Sequence, residues 1–405
     1  MSLKIRNIEK AAERIANAIE KNESIILYGD ADLDGLASVI LMKESIVNLG
    51  GCVKAIYFPD RQKEGYGLNK TALKYLKKYS PAILILLDCG ISNFEEVDIA
   101  NSMGFTVLII DHHEVLMKLP KAAIIVDPKQ VKDTYRFKGF AASGVVYYLT
   151  KELFKRKYSL RIRESFLELV AIATLADMMP IKYDNRQIVN RGLSVLMKTD
   201  RPGLKVFINE FKSACHNSPI EISQKAISVL NFCKIEDHLM ETYRLLTTSS
   251  EEEARPILEK LIEGSKKRHE QMKEMFESAK MISESQPESP ISFIGDKSWP
   301  TMLLGYVASK ICREYGKPTF VYQKGEPLSR GAVRTPKGIS GVEAMKGCSN
   351  LLISYGGHHL ASGFCVKTAK INQLNVCLVD YFSALGGKTN MPLPIKIIRN
   401  RRINK

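Results

Sequence analysis

The chain has 405 residues, 45% of them apolar, and a formal net charge of +15 from 59 Lys and Arg against 44 Asp and Glu. That length predicts two or three domains at about 100–200 residues each. The apolar share suffices for real cores, so the class is an ordinary soluble globular protein. No apolar run approaches the ~18–20 residues of a membrane span, and the N-terminal MSLKIRNIEKAAERIANAIEKNE lacks the continuous apolar stretch of a signal peptide. A cytoplasmic protein with no membrane partner is therefore expected, and the positive excess favours a polyanionic one.

In chain order, Ile8, Ala11, Ile15, Ala18 and Ile19 recur at helical spacing and lead into SIILYGD (24–30). Further β-branched runs follow as AILILLD (82–88), TVLIID (106–111) and AAIIVD (122–127), with helix-like segments between the first three. Continuous apolar runs separated by helices predict a doubly wound α/β domain with a parallel sheet, assigned to residues 1–195. Each run ends in aspartate, and the C-terminal strand ends of such a sheet line the crevice where ligands bind. From 196 to 289 the periodicity is helical, and EEEARPILEKLIEGSKKRHEQMKEMFESAK reads as one long charged helix acting as a linker. ISFIGD (291–296) restarts a β-rich pattern, which predicts a smaller α/β domain over 290–388. The tail 389–405 holds Pro392 and Pro394, which rule out a regular helix, and ends in the basic KIIRNRRINK. The eight cysteines (52, 89, 215, 233, 312, 348, 365, 377) are scattered and form no CxxC pair. Buried thiols in a reducing compartment are expected, without a structural zinc site.

The chemistry concentrates in Asp30-Ala31-Asp32-Leu33-Asp34-Gly35, three carboxylates at alternate positions directly after a strand. Carboxylates this dense repel one another unless cations neutralise them, and oxygen ligands suit Mg²⁺ and Mn²⁺. A calcium loop of the EF-hand kind is excluded, because Leu41 stands where its bidentate Glu is required. Asp88 in LLDCGIS, Asp111-His112-His113 in IIDHHE and Asp177 in ATLADMMP complete the set. With Asp111 behind, five aspartates and His112 can supply ligands for two ions, the imidazole favouring Mn²⁺. Two such ions suit an in-line displacement at phosphorus.

DADLDG, LLDCGIS, IIDHHE and ATLADMMPI match, in order, the four motifs of the DHH phosphoesterase superfamily, which the chain therefore resembles. The resemblance implies that Asp30 and Asp32 hold one metal, that Asp34, His112 and Asp177 hold the other, and that Asp88 bridges both. It further implies that His113 contacts the scissile phosphate and that Asp111 orients the histidines. Gly356-Gly357-His358-His359-Leu360-Ala361-Ser362-Gly363 looks like the GGHxxAAG signature of the DHH-associated domain. Gly356, Gly357 and His358 are accordingly expected at substrate, with Arg334 of SRGAVR as a phosphate clamp.

Within the superfamily, the helical linker and KSWPTMLLGYVASKICREYGKPTFVY resemble RecJ-type exonucleases, which implies Mn²⁺- or Mg²⁺-dependent hydrolysis of single-stranded DNA or RNA, with replication or repair proteins as partners. Two departures stand out. Val229-Leu230-Asn231-Phe232-Cys233-Lys234 keeps only the asparagine of the RLNAAGR-like motif, so Asn231 is the remaining expected contact there. No OB-fold fits in the tail. The alternatives are a nano-RNase-type enzyme acting on short oligonucleotides and a non-catalytic replication scaffold.

Overall fold

The computed structural model describes residues 4–115, 118–231, 234–357 and 360–386, and it separates into two compact units, Met1–Ser265 and Lys266–Lys405. In the first unit five strands, β1 (Ile25–Gly29), β2 (Val53–Tyr57), β3 (Ala82–Leu87), β4 (Phe105–Ile110) and β5 (Ile124–Val126), form a fully parallel sheet of order β2-β1-β3-β4-β5. Every residue of β1 and β3 is buried, as expected for strands covered on both faces. Successive side chains alternate between two cores. Ile25, Leu27, Ile83, Ile85 and Leu87 join one cluster, while Ile26, Tyr28, Leu84 and Leu86 join the other. β2 has no counterpart among the apolar runs of the sequence: it is a half-exposed edge strand, VKAIY, and its weak pattern reflects that position.

The order reverses between β1 and β3, since the chain leaves β1 outward to β2 and returns on the other side. Such a reversal opens a crevice beyond the carboxyl ends of the two strands, and Asp30 and Asp88 follow β1 and β3 directly.

Residues 196–265 are not a separate linker. Leu204, Phe207, Ile222, Val229, Tyr243, Leu246, Leu258 and Leu261 belong to the same core as the sheet. The segment is helical, and the apolar faces of its helices find their partner in the first unit. The expected long helix is present as Glu251–Glu284, and the division between units falls inside it.

The second unit carries a mixed sheet of order β11-β12-β10-β9-β8, after a two-stranded ribbon, β6 (Ile235–Glu236) and β7 (Leu239–Met240), in the first. Its strands are β8 (Ser292–Asp296), β9 (Thr319–Gln323), β10 (Leu328–Arg334), β11 (Leu352–Gly357) and β12 (Ala361–Lys367), with only β8 and β9 parallel. Trp299 is buried here beside Leu303 and Leu304, a core residue. One sequence expectation is corrected: Cys348 and Cys377 are joined in a disulfide, not free thiols. Twenty-nine residues separate them in sequence, and the helices Gly341–Gly347 and Ile371–Gly386 bring them together. Cys89, Cys215 and Cys312 are buried thiols as expected, Cys52 is exposed, and Cys233 lies outside the described residues, as do His358 and the tail. Among the described residues no helix is long and apolar enough to cross a membrane.

One buried guanidinium ties the helices that flank the crevice. Arg201 donates to both carboxylate oxygens of Glu44 at 2.6 and 3.0 Å, to Glu168 Oε1 at 3.2 Å, to the Leu246 carbonyl at 3.0 Å and to Ser165 Oγ at 2.8 Å. Glu44 lies on the helix Leu33–Asn48, whose first turn holds Asp34, and Glu168 on the helix Leu160–Ala176, whose C-cap is Asp177. Removing the guanidinium leaves two carboxylates at a largely buried site, which costs about 3–5 kcal/mol. Arg201→Met should therefore lower the melting temperature by roughly 10 °C in calorimetry, and a fall below about 2 °C would show that the network contributes little.

Candidate metal centre

The aspartates are brought together by where each strand ends. Asp30 follows β1 and is buried, and Ala31 N–H donates to its Oδ1 at 2.8 Å. Asp32 caps the helix Leu33–Asn48, its Oδ1 accepting from the backbone of Asp34 at 3.0 Å and Gly35 at 3.1 Å. This cap explains the glycine: a Cβ at Gly35 would meet the Asp30 backbone at 2.3 Å. Asp34, in the first turn of that helix, accepts from the N–H groups of Ala142 (2.6 Å) and Ser143 (2.9 Å) at the start of the helix Ala142–Phe154. Asp88 adopts a left-handed backbone (φ 64°) directly after β3, a conformation uncommon outside glycine and asparagine or aspartate.

Three sets of ligand atoms converge, each within 4.8 Å: Asp30, Asp32 and Asp88; Asp34, His112 and Asp177; and Asp88, His112 and His113. His112 Nε2 lies 3.2 Å from Asp88 Oδ1, 3.5 Å from Asp177 Oδ2 and 3.9 Å from Asp34 Oδ2. Asp88 Oδ1 and Asp177 Oδ2 are buried with no hydrogen-bond donor. The electrostatics show the cost of this crowding. Burial, then the charge of Asp177, pushes Asp34 up to about 7. Burial, then Asp32, raises Asp177 to about 6. Burial and the charge of Asp34 raise Asp88 well above the usual carboxylate range. Burial lowers His112 to about 4, which leaves its imidazole neutral with a free lone pair. Buried acceptors without donors, beside a neutral imidazole, fit divalent cations.

Asp111 is not among these three sets. Its Oδ1 accepts from the N–H groups of His112 (2.7 Å) and His113 (3.2 Å) and lies 2.7 Å from His113 Nδ1, and its Oδ2 accepts from Ile91 N–H at 3.1 Å. Its hydrogen bonds thus reach the backbone of both histidines and the ring of His113. Against burial, hydrogen bonding to His113 pulls Asp111 down to about 2, and against burial the same bond raises His113 to about 9.

Several residues escaped sequence reading. Arg61 pairs with both Asp30 and Asp32, donating from Nε to Asp30 Oδ1 at 2.8 Å and from Nη2 to Asp32 Oδ2 at 2.9 Å. Tyr66 Oη lies 3.3 Å from His113 Nδ1 and 3.3 Å from the Asp88 carbonyl. Both follow β2, and recognising β2 as a parallel strand would have delivered them to the crevice. Asp127, by contrast, is the aspartate with which the AAIIVD run of the sequence ends; it follows β5 and is buried, with Oδ2 unpartnered, and burial pushes it up to about 7. Asn231 is the C-cap of the helix Pro219–Leu230.

In the second unit Arg334 ends β10, its Nε donating to Ser309 Oγ at 3.1 Å and Nη1 to the Val333 carbonyl at 2.8 Å. Gly356 and Gly357 end β11, paired with Gly363 and Ser362. Gly357 has φ 126°, and a Cβ there would meet the Ala361 carbonyl at 2.6 Å, so only glycine fits.

Residues 24–174 match the model of the DHH family, N-terminal domain. The single-stranded-DNA-specific exonuclease RecJ of Bacillus subtilis is 30% identical over 376 residues, covering 91% of this chain and 47% of that protein. RecJ of Thermus thermophilus is 27% identical, covering 91% of this chain and 53% of its own length. This chain thus spans about half the length of the curated relatives it matches. A crystal structure of exonuclease RecJ bound to manganese superposes with a TM-score of 0.81 at 25% identity, over 94% of this chain and 95% of that one.

The Asp111–His113 pair generates a prediction for the metal-free protein. With the ordinary values near 3.9 and 6.5, its contribution to stability is full between about pH 4 and 6.5, fading as pH rises through about 9 or falls through about 2. Asp111→Asn should drop the His113 titration seen by proton NMR from about 9 to below 6.5, since burial then dominates. A titration that stays near 9 would show that other groups hold the proton.

Proposed function

We propose that this chain, which belongs to the DHH family, is a metal-dependent phosphodiesterase that removes mononucleotides from single-stranded DNA, and RNA where offered, in the manner of RecJ. The observation that carries the reading is the pair of three-residue ligand sets beyond the switch between β1 and β3, with Asp88 in the first and close to His112 of the second. Asp30, Asp32 and Asp88 would hold one Mn²⁺ or Mg²⁺ ion, and Asp34, His112 and Asp177 the other, with Asp88 shared. Two such ions would supply an activated water and neutralise charge developing on the attacking and leaving oxygens.

The remaining work falls to the chain itself. His113, held by Asp111 and half exposed, offers a ring N–H donor to a phosphate oxygen. Asp111 holds that ring and the His112 backbone in place. Tyr66, beside His113, limits the ring's rotation. Arg61 offsets the charge of Asp30 and Asp32. Arg334, Gly356, Gly357 and His358 in the second unit, and Asn231 in the first, are our further substrate contacts, through phosphate clamping and close backbone approach. The +15 charge favours a strand over a single nucleotide. We assign the protein to the cytoplasm, with replication or repair proteins as its partners.

The test is a product ladder in Mn²⁺ with single strands labelled at either end, their duplexes and oligomers of a few nucleotides. Mononucleotide release from long single strands, sparing duplex, supports the reading, whereas loss of only the short oligomers makes this a nano-RNase-type enzyme. No hydrolysis by folded, metal-loaded protein would leave the scaffold reading. Asp88→Ala should remain folded and lose at least about two orders of magnitude in turnover, because even outer partners of metal ligands cost 10–100-fold. Near-normal hydrolysis by that variant overturns the two-ion assignment.

A further inference from the structure

Beside the metal centre, in the first unit, the chain exposes apolar side chains that no part of the fold uses. Asp177 is followed by Met178, 88% exposed, Ile181, 41% exposed, and Tyr183, 76% exposed. The Phe137 ring stands 5.8 Å from that of Tyr183. Met178 and Tyr183 also carry left-handed backbones, φ 53° and 47°, which side chains with a Cβ rarely adopt.

This segment is held rigidly. The buried amide of Asn185 donates to the Gly139 carbonyl at 2.7 Å and the Pro180 carbonyl at 3.1 Å, locking 177–183 against 137–140. Gly139 is needed there, since a Cβ would meet Pro180 Cγ at 2.7 Å. Strain and exposed apolar area, both fixed by a buried clamp, mark a surface kept for contact rather than packing.

The charges of the two segments that form it select the partner. Residues 128–138 and 178–191 hold seven cations, Lys129, Lys132, Arg136, Lys138, Lys182, Arg186 and Arg191, against two acids, Asp133 and Asp184. Both acids are engaged internally: Asp133 with Lys138 and the Arg6 backbone, Asp184 with the hydroxyls of Tyr135 and Tyr148. Lys138 pairs with Asp133 and Lys129 with Glu114, which leaves Lys132, Arg136, Lys182, Arg186 and Arg191 in the same segments as the exposed Tyr183 ring and the half-buried Phe137 ring, a combination that suits a polyanion whose faces are aromatic.

We propose that Phe137, Met178, Ile181 and Tyr183 form a stacking surface for unpaired bases of a single strand, with Arg136 and Lys182 on its phosphates. Both segments reach the metal centre, one through Asp177 and the other through the Ala142 and Ser143 N–H groups on Asp34. The surface therefore continues from the ligand cluster along the first unit. Tyr183 and Phe137 stack without regard to sequence, as aromatic platforms on single strands do. The choice of a single strand rests on the exonuclease reading; the aromatic and cationic character does not.

The test uses the full chain and a fluorescent oligothymidylate of about twenty nucleotides, with Ca²⁺ as added ion, read by anisotropy. Tyr183→Ala should weaken binding about tenfold, within what one aromatic stack contributes, and Tyr183→Phe should restore it. An abasic strand of the same length, which keeps the phosphates, should lose less than twofold with Tyr183→Ala. Arg136→Gln with Lys182→Gln should reduce the salt slope by about 1.4, from two phosphate contacts on a single strand. Wild-type affinity in Tyr183→Ala, or an equal loss on the abasic strand, overturns the stacking surface and leaves the rim to a protein. The two readings fail separately. A wild type that binds the strand and loses it with Tyr183→Ala, yet releases no nucleotide in Mn²⁺, refutes the exonuclease while supporting the surface.

Discussion

Repulsion among carboxylates that the sheet delivers to one place is the constraint on which the first unit is built. Asp30, Asp88 and Asp111 follow adjacent parallel strands, and Asp32, Asp34 and Asp177 come from helix ends beside them. In water such acids would separate, but here the strands fix them and burial denies them solvent. The elevated Asp34, Asp88 and Asp177 show charge that the polypeptide leaves uncompensated. That deficit is what a pair of divalent cations would meet.

Where the chain does compensate, it uses groups that also set geometry. Backbone N–H groups at helix starts serve Asp32 and Asp34, which fixes the carboxylates without adding a competing cation. Arg61 covers Asp30 and Asp32 from the turn after β2, and His113 covers Asp111. Asp34 and Asp177 begin and end helices that Arg201 joins through Glu44 and Glu168. The distance between ligands thus depends on packing far along both helices, which ties the centre to the stability of the whole unit.

The same unit carries its contact surface as a continuation of the centre. The residue after Asp177 starts the exposed run, and Asn185 holds that run to the segment that ends on Asp34. A rigid apolar rim with surrounding cations differs from the ligand crevice in chemistry, since the crevice attracts cations and the rim attracts an anion's aromatic face. Placing the two side by side lets one bound polymer engage both.

How much of this was legible in sequence depended on how local each signal was. The aspartates after β1, β3 and β4, the neighbouring histidines and the glycine at 35 are fixed by short motifs, because a strand end and a helix cap are set by adjacent residues. The parallel sheet was readable for the same reason, as strands buried on both faces need continuous apolar runs. β2 was missed because an edge strand lacks that requirement, and Arg61 and Tyr66 were missed with it. The assignment of 196–265 to the first core, the Cys348–Cys377 pairing, the Arg201 network and the Met178–Tyr183 rim depend on residues distant in sequence meeting in space. Helical periodicity shows that a face is apolar, yet only tertiary packing decides which core covers it or whether it stays bare.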